Sequence, residues 1–470
     1  MYPLSLKSWL SCNSITIPPL YLVGGTVRDL LLGKQPKDID LVCKDAKDFA
    51  CRLGECKNAA FVPMEKKPAE ACYRVLDREH AENFLDIAEM SGPTIYDDLA
   101  RRDFTINALA AEVQKDGTIG PLIDPFAGAG DIERKTIKMT GRGSFVSDPL
   151  RILRALRFSA SLGFEIEPQT REEMRDRVAL LPEVSAERIM AELLLILKTP
   201  HSSLFIREMD HIGVLDVLFP EILPTKGCRQ NGFHHKDVWE HSLLVIENCE
   251  QILNNLTGYF GDWAEEILCN LAGNNRLPLI KLTALLHDIG KPLTRGMNTI
   301  TGRTTFYGHA RAGASLADAI AERLKLSGQA RDYLVQLTAE HLHVLSLAGN
   351  TVRTATRMRW FRKMKDNAIP AIILGIADVA SSLGKESTEE WRNRYLAWSK
   401  NIVRDYYETL RKRLESPNLI TGSDLIDFGM EPGPEIGRLL AILRSSQDTG
   451  EISTREDAIA LAKGLLAKRT

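Results

Sequence analysis

Two aspartates separated by one residue, Asp38 and Asp40, have the spacing of a metal-binding carboxylate pair. Residues 39–42 have the branched, apolar composition of a β-strand. Residues i and i+2 of a strand point to one face, so both carboxylates are expected on the same side. Two close negative charges favour a bound cation, and two Mg²⁺ ions would activate an attacking hydroxyl and stabilise a leaving pyrophosphate. A solvated pair on a sheet edge is the alternative.

A glycine pair, Gly24 and Gly25, precedes these aspartates. It lies between a predicted strand at residues 21–23 and a predicted helix that includes residues 29–32. Such a turn lets backbone N–H groups approach a phosphate, and the helix N-terminus adds a positive dipole. Arg28 is placed to clamp a phosphate through two hydrogen bonds.

A second group of chemically active residues lies in the C-terminal half. The adjacent pair His287 and Asp288 lies in an apolar segment, where burial of both side chains is costly without a partner or a metal. Imidazole and carboxylate together suit a divalent transition metal or Mg²⁺. Seven of the ten histidines fall between positions 234 and 343, which favours one shared site over scattered core residues.

The elements that carry these groups differ along the chain. Residues 20–125 alternate short apolar runs with turn residues, and a further strand is predicted at residues 84–87. From about residue 145 the apolar residues recur at helical spacing, as at Leu150, Leu153 and Leu156. The pattern predicts a small head of strands and helices followed by a long all-α body.

Composition limits the alternatives. The chain has 470 residues with 60 basic and 62 acidic side chains, so its net charge of −2 requires any nucleic-acid site to be a local basic patch. No apolar run approaches the ~18 residues of a membrane helix. The eight cysteines contain no C-x-x-C pair, which argues against a zinc ribbon, and we expect a reducing, cytoplasmic location.

The glycine pair and the Asp-x-Asp pair together resemble the DNA polymerase β-like nucleotidyltransferases. Residues 101–110, RRDFTINALA, resemble the signature of the class II tRNA nucleotidyltransferase and bacterial poly(A) polymerase superfamily. Residues 124–126 and 147–158 resemble its later motifs, and the resemblance extends over nearly the whole chain. It implies an α+β fold, in which a nucleotidyltransferase head with a mixed sheet precedes an elongated all-α body.

The resemblance also implies roles for individual residues. Asp38 and Asp40 would be the catalytic carboxylates that bind Mg²⁺ in the head. Gly24, Gly25 and Arg28 would hold the triphosphate. Two further residues, Arg102 and Asp103, would meet the phosphate or ribose of the nucleotide. Asp86 is either a third metal-binding carboxylate or a strand-end acid.

In this family an E-D-x-x-R motif pairs with the incoming base, and Asp148 and Arg151 occupy its D and R positions. Their spacing predicts that both lie on one helix face, where an accepting Asp and a donating Arg would admit C and A and reject U and G. Asp148 as a first-turn acid at a helix N-terminus is the alternative. Ser147 replaces the Glu of the motif. Arg154 and Arg157 are expected to contact phosphate.

The body resembles an HD phosphohydrolase domain. His241, His287, Asp288 and Asp378 match its four core metal ligands, and His309 and His341 resemble the extra histidines of members that hold two metals. The implied metal is Mg²⁺, Mn²⁺, Ni²⁺ or Fe²⁺, and the implied activity is hydrolysis of phosphomonoesters or 2′,3′-cyclic phosphates. A domain that keeps the HD fold without turnover is the alternative.

We therefore predict four domains: a nucleotidyltransferase head (1–140), a helical neck that binds nucleobase and RNA (141–227), an HD domain (228–400) and a C-terminal helical segment (401–470). The predicted function is untemplated addition of C and A to tRNA from CTP and ATP, with neither DNA nor a membrane as a partner. A CC-adding, A-adding or poly(A)-adding relative is an alternative. Only residues 88–96 separate the strand from the Asp97-Asp98 pair before RRD, and the superfamily associates such a short loop with addition of CC alone, although full CCA-adding members with short loops also exist. An RNA-binding HD phosphohydrolase with an inert head is another alternative.

Overall fold

The computed structural model describes residues 6–11, 15–64, 71–349 and 352–467. The chain forms two compact units. The first unit comprises residues 1–196 and 212–217, and the second comprises residues 197–211 and 218–470. The division of the sequence into four domains remains a prediction.

The first unit is built on a seven-stranded mixed sheet with the order β3-β4-β5-β2-β1-β6-β7. Only the β2–β5 pair is parallel within this sheet, and the other described pairs are antiparallel. A two-stranded parallel sheet joins β8 to β9. The strands are Leu20–Val23 (β1), Ile39–Cys43 (β2), Ala60–Pro63 (β3), Cys72–Leu76 (β4), Phe84–Glu89 (β5), Ala110–Val113 (β6), Ile119–Ile123 (β7), Thr136–Ile137 (β8) and Glu165–Ile166 (β9).

Helices cover and connect this sheet. Ile95 and Leu99 of α4 share a buried apolar cluster with Val23 of β1 and Val42 of β2, which fixes the helix against one face. The helices are Leu6–Leu10 (α1), Gly25–Leu31 (α2), Ala46–Lys57 (α3), Ile95–Ala100 (α4), Gly128–Glu133 (α5), Ser144–Ser147 (α6), Arg151–Leu162 (α7), Pro168–Arg177 (α8) and Ala186–Leu197 (α9).

Within the described residues of the second unit, the regular structure is helical apart from one short hairpin, Gly296–Met297 (β10) with Thr304–Thr305 (β11). Its centre is α19, whose residues from Ala368 to Val379 are buried, and which packs against α12 and α17. The helices are Ser202–His211 (α10), Val214–Leu218 (α11, at the junction), Val238–Asn254 (α12), Leu256–Phe260 (α13), Ala264–Ala272 (α14), Arg276–Leu286 (α15), His309–Arg323 (α16), Gly328–Ser346 (α17), Thr354–Met364 (α18), Ala368–Ser381 (α19), Glu389–Asp405 (α20), Arg411–Glu415 (α21), Gly422–Asp427 (α22), Pro434–Thr449 (α23) and Arg455–Ala467 (α24).

The α+β architecture predicted from the sequence is confirmed. The predicted strands at residues 21–23, 39–42 and 84–87 correspond to β1, β2 and β5, and the predicted helix corresponds to α2. Across the part of the chain that the structure describes, no helix combines the length and apolar character needed to span a bilayer.

Candidate functional sites

A polar cavity of about 630 Å³ opens in the first unit. Seven arginines and four aspartates line it, so its walls carry a net positive charge that suits a polyanionic ligand. The residues assigned from the sequence to the nucleotide and its metal in the head line this cavity, whereas Asp86, the optional third carboxylate, is not among its lining residues. Its lining side chains and backbone come from Gly24, Gly25, Arg28, Asp38, Asp40, Arg101, Arg102, Asp103, Asn107, Asp148, Arg151, Arg154, Arg157, Phe158 and Arg188.

The glycine turn forms one wall of the cavity. Gly24 has φ of +64°, and a Cβ atom at this position would lie 2.6 Å from Nη1 of Arg102. Only glycine meets both conditions without strain. Arg102 in turn donates to the Asp98 carboxylate at 3.0 and 3.1 Å, so α4 holds its guanidinium beside the turn.

The carboxylate pair lies at the start of β2. The strand begins at Ile39, so Asp38 directly precedes it, and Asp40 lies beside Asp86 in the parallel register of β2 and β5. Burial, followed by the negative charge of Asp86, raises the pKa of Asp40 to about 6. A partly buried set of carboxylate oxygens whose charges repel one another fits a hard cation such as Mg²⁺.

Asp86 has a different environment from Asp40. Its two carboxylate oxygens accept hydrogen bonds from Nε and Nη2 of Arg74 on β4, each at 2.8 Å. This bidentate pair compensates the charge of Asp86 next to the candidate metal site. The structure thus places Asp86 beside the aspartate pair but gives its carboxylate a cationic partner within the sheet.

Arg28 is held against the cavity floor. Its Nη1 donates to the side-chain oxygen of Asn107 at 2.7 Å, and its Nε and Nη2 donate to Asp29 at 2.9 and 2.8 Å. The side chain is therefore oriented before any ligand binds, which lowers the entropic cost of holding a phosphate.

Asp103 is a buried anchor for Arg154. One carboxylate oxygen accepts from Nε and Nη2 of Arg154 at 2.8 and 2.6 Å, and the other accepts from Asn107 and the backbone N–H of Phe104. Burial alone would raise the pKa of Asp103, but these donors, led by Arg154, hold it below its usual range. The carboxylate therefore fixes the position of Arg154 in the cavity wall.

Asp148 and Arg151 both line the cavity, but the prediction that they share one helix face is wrong. Helix α7 begins at Arg151, and Asp148 is extended, with φ of −150° and ψ of 97°, in the turn before it. Pro149 accounts for this, because a proline disfavours the helical conformation of the residue that precedes it. Ser147, in the position of the motif's Glu, donates its hydroxyl to the Ser144 carbonyl at 2.8 Å.

Arg157 lies one turn beyond Arg154 on α7. Its Nε donates to Glu192 of α9 at 2.6 Å, and its guanidinium lies 4.1 Å from the centroid of the Phe158 ring. Arg28 and Arg154 approach the same ring at 5.4 and 5.3 Å. Phe158 therefore packs among three cavity arginines and limits their movement.

Arg188 of α9 is a cavity residue that the sequence reasoning missed. Its Nη2 donates to Oδ2 of Asp148 at 2.8 Å. The two residues are 40 positions apart, and a single arginine on an amphipathic helix has no motif that would distinguish it from a solvated surface residue.

In the second unit the six predicted metal ligands converge. His241, His287, Asp288, His309, His341 and Asp378 are all buried. Asp288 is central: its Oδ2 lies 3.1 Å from His287 Nε2 and 3.6 Å from His241 Nε2. Its Oδ1 lies 3.2 Å from His309 Nε2 and 3.6 Å from His341 Nε2. Asp378 completes the cluster at 3.0 Å from His241 Nε2.

The histidine tautomers fit metal binding. The Nδ1 atoms of His287, His309 and His341 each lie 2.7 to 2.9 Å from a backbone carbonyl oxygen, which can only accept. In a neutral ring the proton is therefore on Nδ1, and Nε2 presents a lone pair to the cluster. Two such Nε2 atoms, of His309 and His341, face each other at 3.2 Å, an arrangement that a shared cation stabilises.

These ligands form two groups that share Asp288: His241 with His287, and His309 with His341. A carboxylate between two pairs of imidazoles is a donor set for divalent metals, and it can bridge two of them. Lys291, which the sequence analysis did not select, places its ammonium 2.5 Å from Asp288 Oδ2 and lines the adjoining cavity of about 440 Å³.

Three family models match successive parts of the chain. Residues 20–138 match a family described as the poly A polymerase head domain, and residues 163–225 match one described as a probable RNA and SrmB-binding site of polymerase A. Residues 238–383 match the HD domain. A polymerase-type nucleotidyltransferase head combined with an HD domain is therefore the class of protein that this fold and these sites define.

Relatives over the full length narrow this class. An A-adding tRNA nucleotidyltransferase of Deinococcus radiodurans is 30% identical over 456 residues, 95% of each chain. A CC-adding tRNA nucleotidyltransferase of Thermus thermophilus is 30% identical over 445 residues, covering 93% of this chain and 92% of the relative. An apo structure of a CCA-adding enzyme has the same fold, with a TM-score of 0.65 at 23% identity over 98% and 93% of the two chains. The chain belongs to the tRNA nucleotidyltransferase family.

Proposed function

We propose that the chain adds C and A nucleotides to the 3′ end of tRNA from CTP and ATP without a nucleic-acid template. One observation carries the proposal: a single cavity joins the carboxylate pair, Asp38 and Asp40, to a base-reading pair, Asp148 and Arg151. Such a cavity holds both the reacting phosphate and the base that is selected. The partners are tRNA, CTP and ATP, and the proposed location is the cytoplasm.

Asp38 and Asp40 would hold Mg²⁺ in this proposal. The metal supplies activation of the attacking 3′ hydroxyl and charge stabilisation of the leaving pyrophosphate. The chain's own contribution is placement, since Thr26 Oγ1 accepts from the backbone N–H of Asp40 at 2.8 Å and donates to the Asp38 carbonyl at 3.1 Å. Thr26 therefore fixes the backbone that carries both carboxylates.

The triphosphate is bound by the arginines around the glycine turn. Arg28, Arg102 and Arg154 are each oriented by a carboxylate or an amide oxygen, so their remaining donors face the cavity in fixed directions. Positioning by prearranged charged donors is the main contribution of protein side chains to phosphoryl and nucleotidyl transfer.

Base selection follows from hydrogen-bond chemistry. The Asp148 carboxylate accepts, and cytosine and adenine both present an amino group where uracil and guanine present a carbonyl oxygen. Arg151 donates to the ring acceptors beside that amino group. Each carboxylate oxygen has two lone pairs, so Asp148 can accept from a base while it pairs with Arg188.

The link between β5 and α4 bears on how many nucleotides are added. Only residues 90–94 separate Glu89 from Ile95. The link is held at its end by Thr94, which caps α4 through reciprocal bonds with Asp97. In the superfamily, a short link of this kind is associated with addition of CC alone. The short link is therefore the observation that favours this narrower function.

The assay that tests the proposal uses three tRNA transcripts, ending at the discriminator base, at C and at CC. Each receives CTP, ATP or both with Mg²⁺, and the products are sized on a sequencing gel. Two C followed by one A is the expected result, and a stop after CC assigns the narrower function. A long A ladder, or no addition to any transcript, contradicts the proposal.

The second unit supports a further activity, hydrolysis of phosphomonoesters or 2′,3′-cyclic phosphates. The observation in its favour is one buried cluster in which four histidines surround Asp288 and Asp378 contacts His241, beside a cavity that Asp288, His309 and Asp378 line. The imidazole-rich donor set favours Mn²⁺, Ni²⁺ or Fe²⁺ over Mg²⁺. Hydrolysis of a 2′,3′-cyclic nucleotide that requires an added divalent metal tests this activity, and its absence with every metal contradicts it.

A further inference from the structure

We propose that Arg188 is a positioning residue for base selection: it holds the Asp148 carboxylate in the orientation that accepts C and A. The inference rests on the proposed nucleotide addition and extends it to Arg188, to which the sequence analysis assigned no role. Arg188 lies on α9, whereas Asp148 precedes α7, so the contact joins two separate parts of the first unit.

Asp148 needs an external partner to be oriented. It lies outside the regular part of both flanking helices, and its side chain is 28% exposed. Among the described residues, its Oδ1 accepts one long bond, 3.3 Å, from the backbone N–H of Leu150. Its Oδ2 accepts from Nη2 of Arg188 at 2.8 Å, the geometry of a charge-assisted bond. Contacts to both oxygens set the plane of the carboxylate.

Arg151 does not provide this orientation. Its Nη1 donates to Ser144 Oγ at 2.7 Å, and its Nη2 donates to the Arg101 carbonyl at 2.6 Å. Among the ion pairs of the described residues, Asp148 pairs with Arg188 and not with Arg151. The two base-reading side chains are therefore held by different partners, and Arg188 supplies the direct ion pair to Asp148, while Arg151 and Arg154 act on it only at longer range.

Loss of the contact between Arg188 and Asp148 is expected to change nucleotide selectivity more than the stability of the fold. A carboxylate in a fixed plane accepts from an amino group and repels a carbonyl oxygen, whereas one that rotates freely loses part of that contrast. Arg188 is 49% exposed, so its removal leaves no cavity in the core. We expect Arg188→Ala to lower the preference for CTP over UTP at least tenfold.

The experiment measures kcat/KM for CTP and UTP on a tRNA transcript that ends at the discriminator base. Wild type, Arg188→Ala and Arg188→Lys are compared, with Arg52→Ala as the control. Arg52 is matched because it is 45% exposed and ion-paired with Asp48 at 2.5 Å, yet it lies outside the cavity. Arg188→Lys should restore part of the preference, since an ammonium can donate to Oδ2 but cannot reproduce the guanidinium geometry.

Equilibrium binding of CTP and UTP, measured by calorimetry without tRNA, gives a second readout. A lower CTP preference in Arg188→Ala, with partial recovery in Arg188→Lys and none of the effect in Arg52→Ala, supports the inference. An unchanged C-to-U ratio overturns it, including the case in which all nucleotides are added more slowly to the same degree. If wild type adds no nucleotide, the proposed function fails, and the binding ratios still decide the role of Arg188.

Discussion

Asp103 and Asp148 line the same cavity with the same charge but have different partners. Asp103 is buried and bonded to Arg154, Asn107 and a backbone N–H, whereas Asp148 is partly exposed and bonded mainly to Arg188. A buried carboxylate with all its acceptor positions in use acts through the group that it holds. A partly exposed one keeps lone pairs for a ligand. The motifs predict both residues as nucleotide-binding, and the contacts distinguish an anchor for Arg154 from a carboxylate that keeps acceptor positions for a ligand.

Asp40 gives a prediction at the same scale. Its pKa of about 6 means that the carboxyl becomes protonated as the pH falls through that value, and a protonated carboxyl does not bind Mg²⁺. We expect Mg²⁺ affinity at this site to be about fourfold weaker at about pH 5.5 than at about pH 7.5. Calorimetry on nucleotide-free protein measures it, as the difference between wild type and Asp40→Asn. Equal affinity at both pH values, together with unchanged affinity in Asp40→Asn, would show that Asp40 is not a ligand.

Individual strands and helices could be predicted from the sequence where the local pattern of apolar and turn residues determines them. Strands β1, β2 and β5 follow from short apolar runs between turn residues, and α2 follows from the glycine pair and the residues after it. The placement of Asp148 on a helix failed because residue spacing was weighed without the effect of Pro149. Arg188 could not be predicted, because its role depends on a contact between α9 and the turn before α7 that sequence spacing does not encode.

Close packing of the turn after α15 against the start of α16 positions His309, one of the candidate metal ligands. Gly290, in the turn after α15, faces the start of α16, and a Cβ there would lie 2.3 Å from the His309 carbonyl oxygen and 2.4 Å from the Gly313 nitrogen. Backbone atoms cannot move aside as a flexible side chain does. Any larger residue at 290 must therefore displace the first turn of α16, which carries His309.

Gly290→Ala is accordingly expected to weaken the second unit and its metal site. Overpacking of this kind costs about 1–3 kcal/mol, and displacement of His309 removes one ligand from the Asp288 group. Thermal unfolding and metal content after equilibration with Mn²⁺ measure the two effects. Gly328→Ala is the control, since a Cβ at this position, at the start of α17, meets no atom within 4 Å. Identical metal content in both variants would contradict the packing argument.

At the scale of the whole molecule, charge and chemistry are divided between two units. Although the net charge is only −2, the first unit has a cavity lined by seven arginines. The second unit has a buried cluster of imidazoles and a carboxylate. Each site is assembled from residues of its own unit. Nucleotide addition is therefore attributed to the first unit, and any phosphate hydrolysis to the second.

The most direct test of this account is the nucleotide-addition assay on the transcript that ends at the discriminator base, with labelled CTP and three proteins. Wild type should add C, Asp40→Asn should lose addition because a candidate metal carboxylate is removed, and Asp288→Asn should retain it because the change lies in the other unit. Addition that survives in Asp40→Asn, or that is lost to the same degree in Asp288→Asn, would contradict the assignment of nucleotidyl transfer to the first-unit cavity.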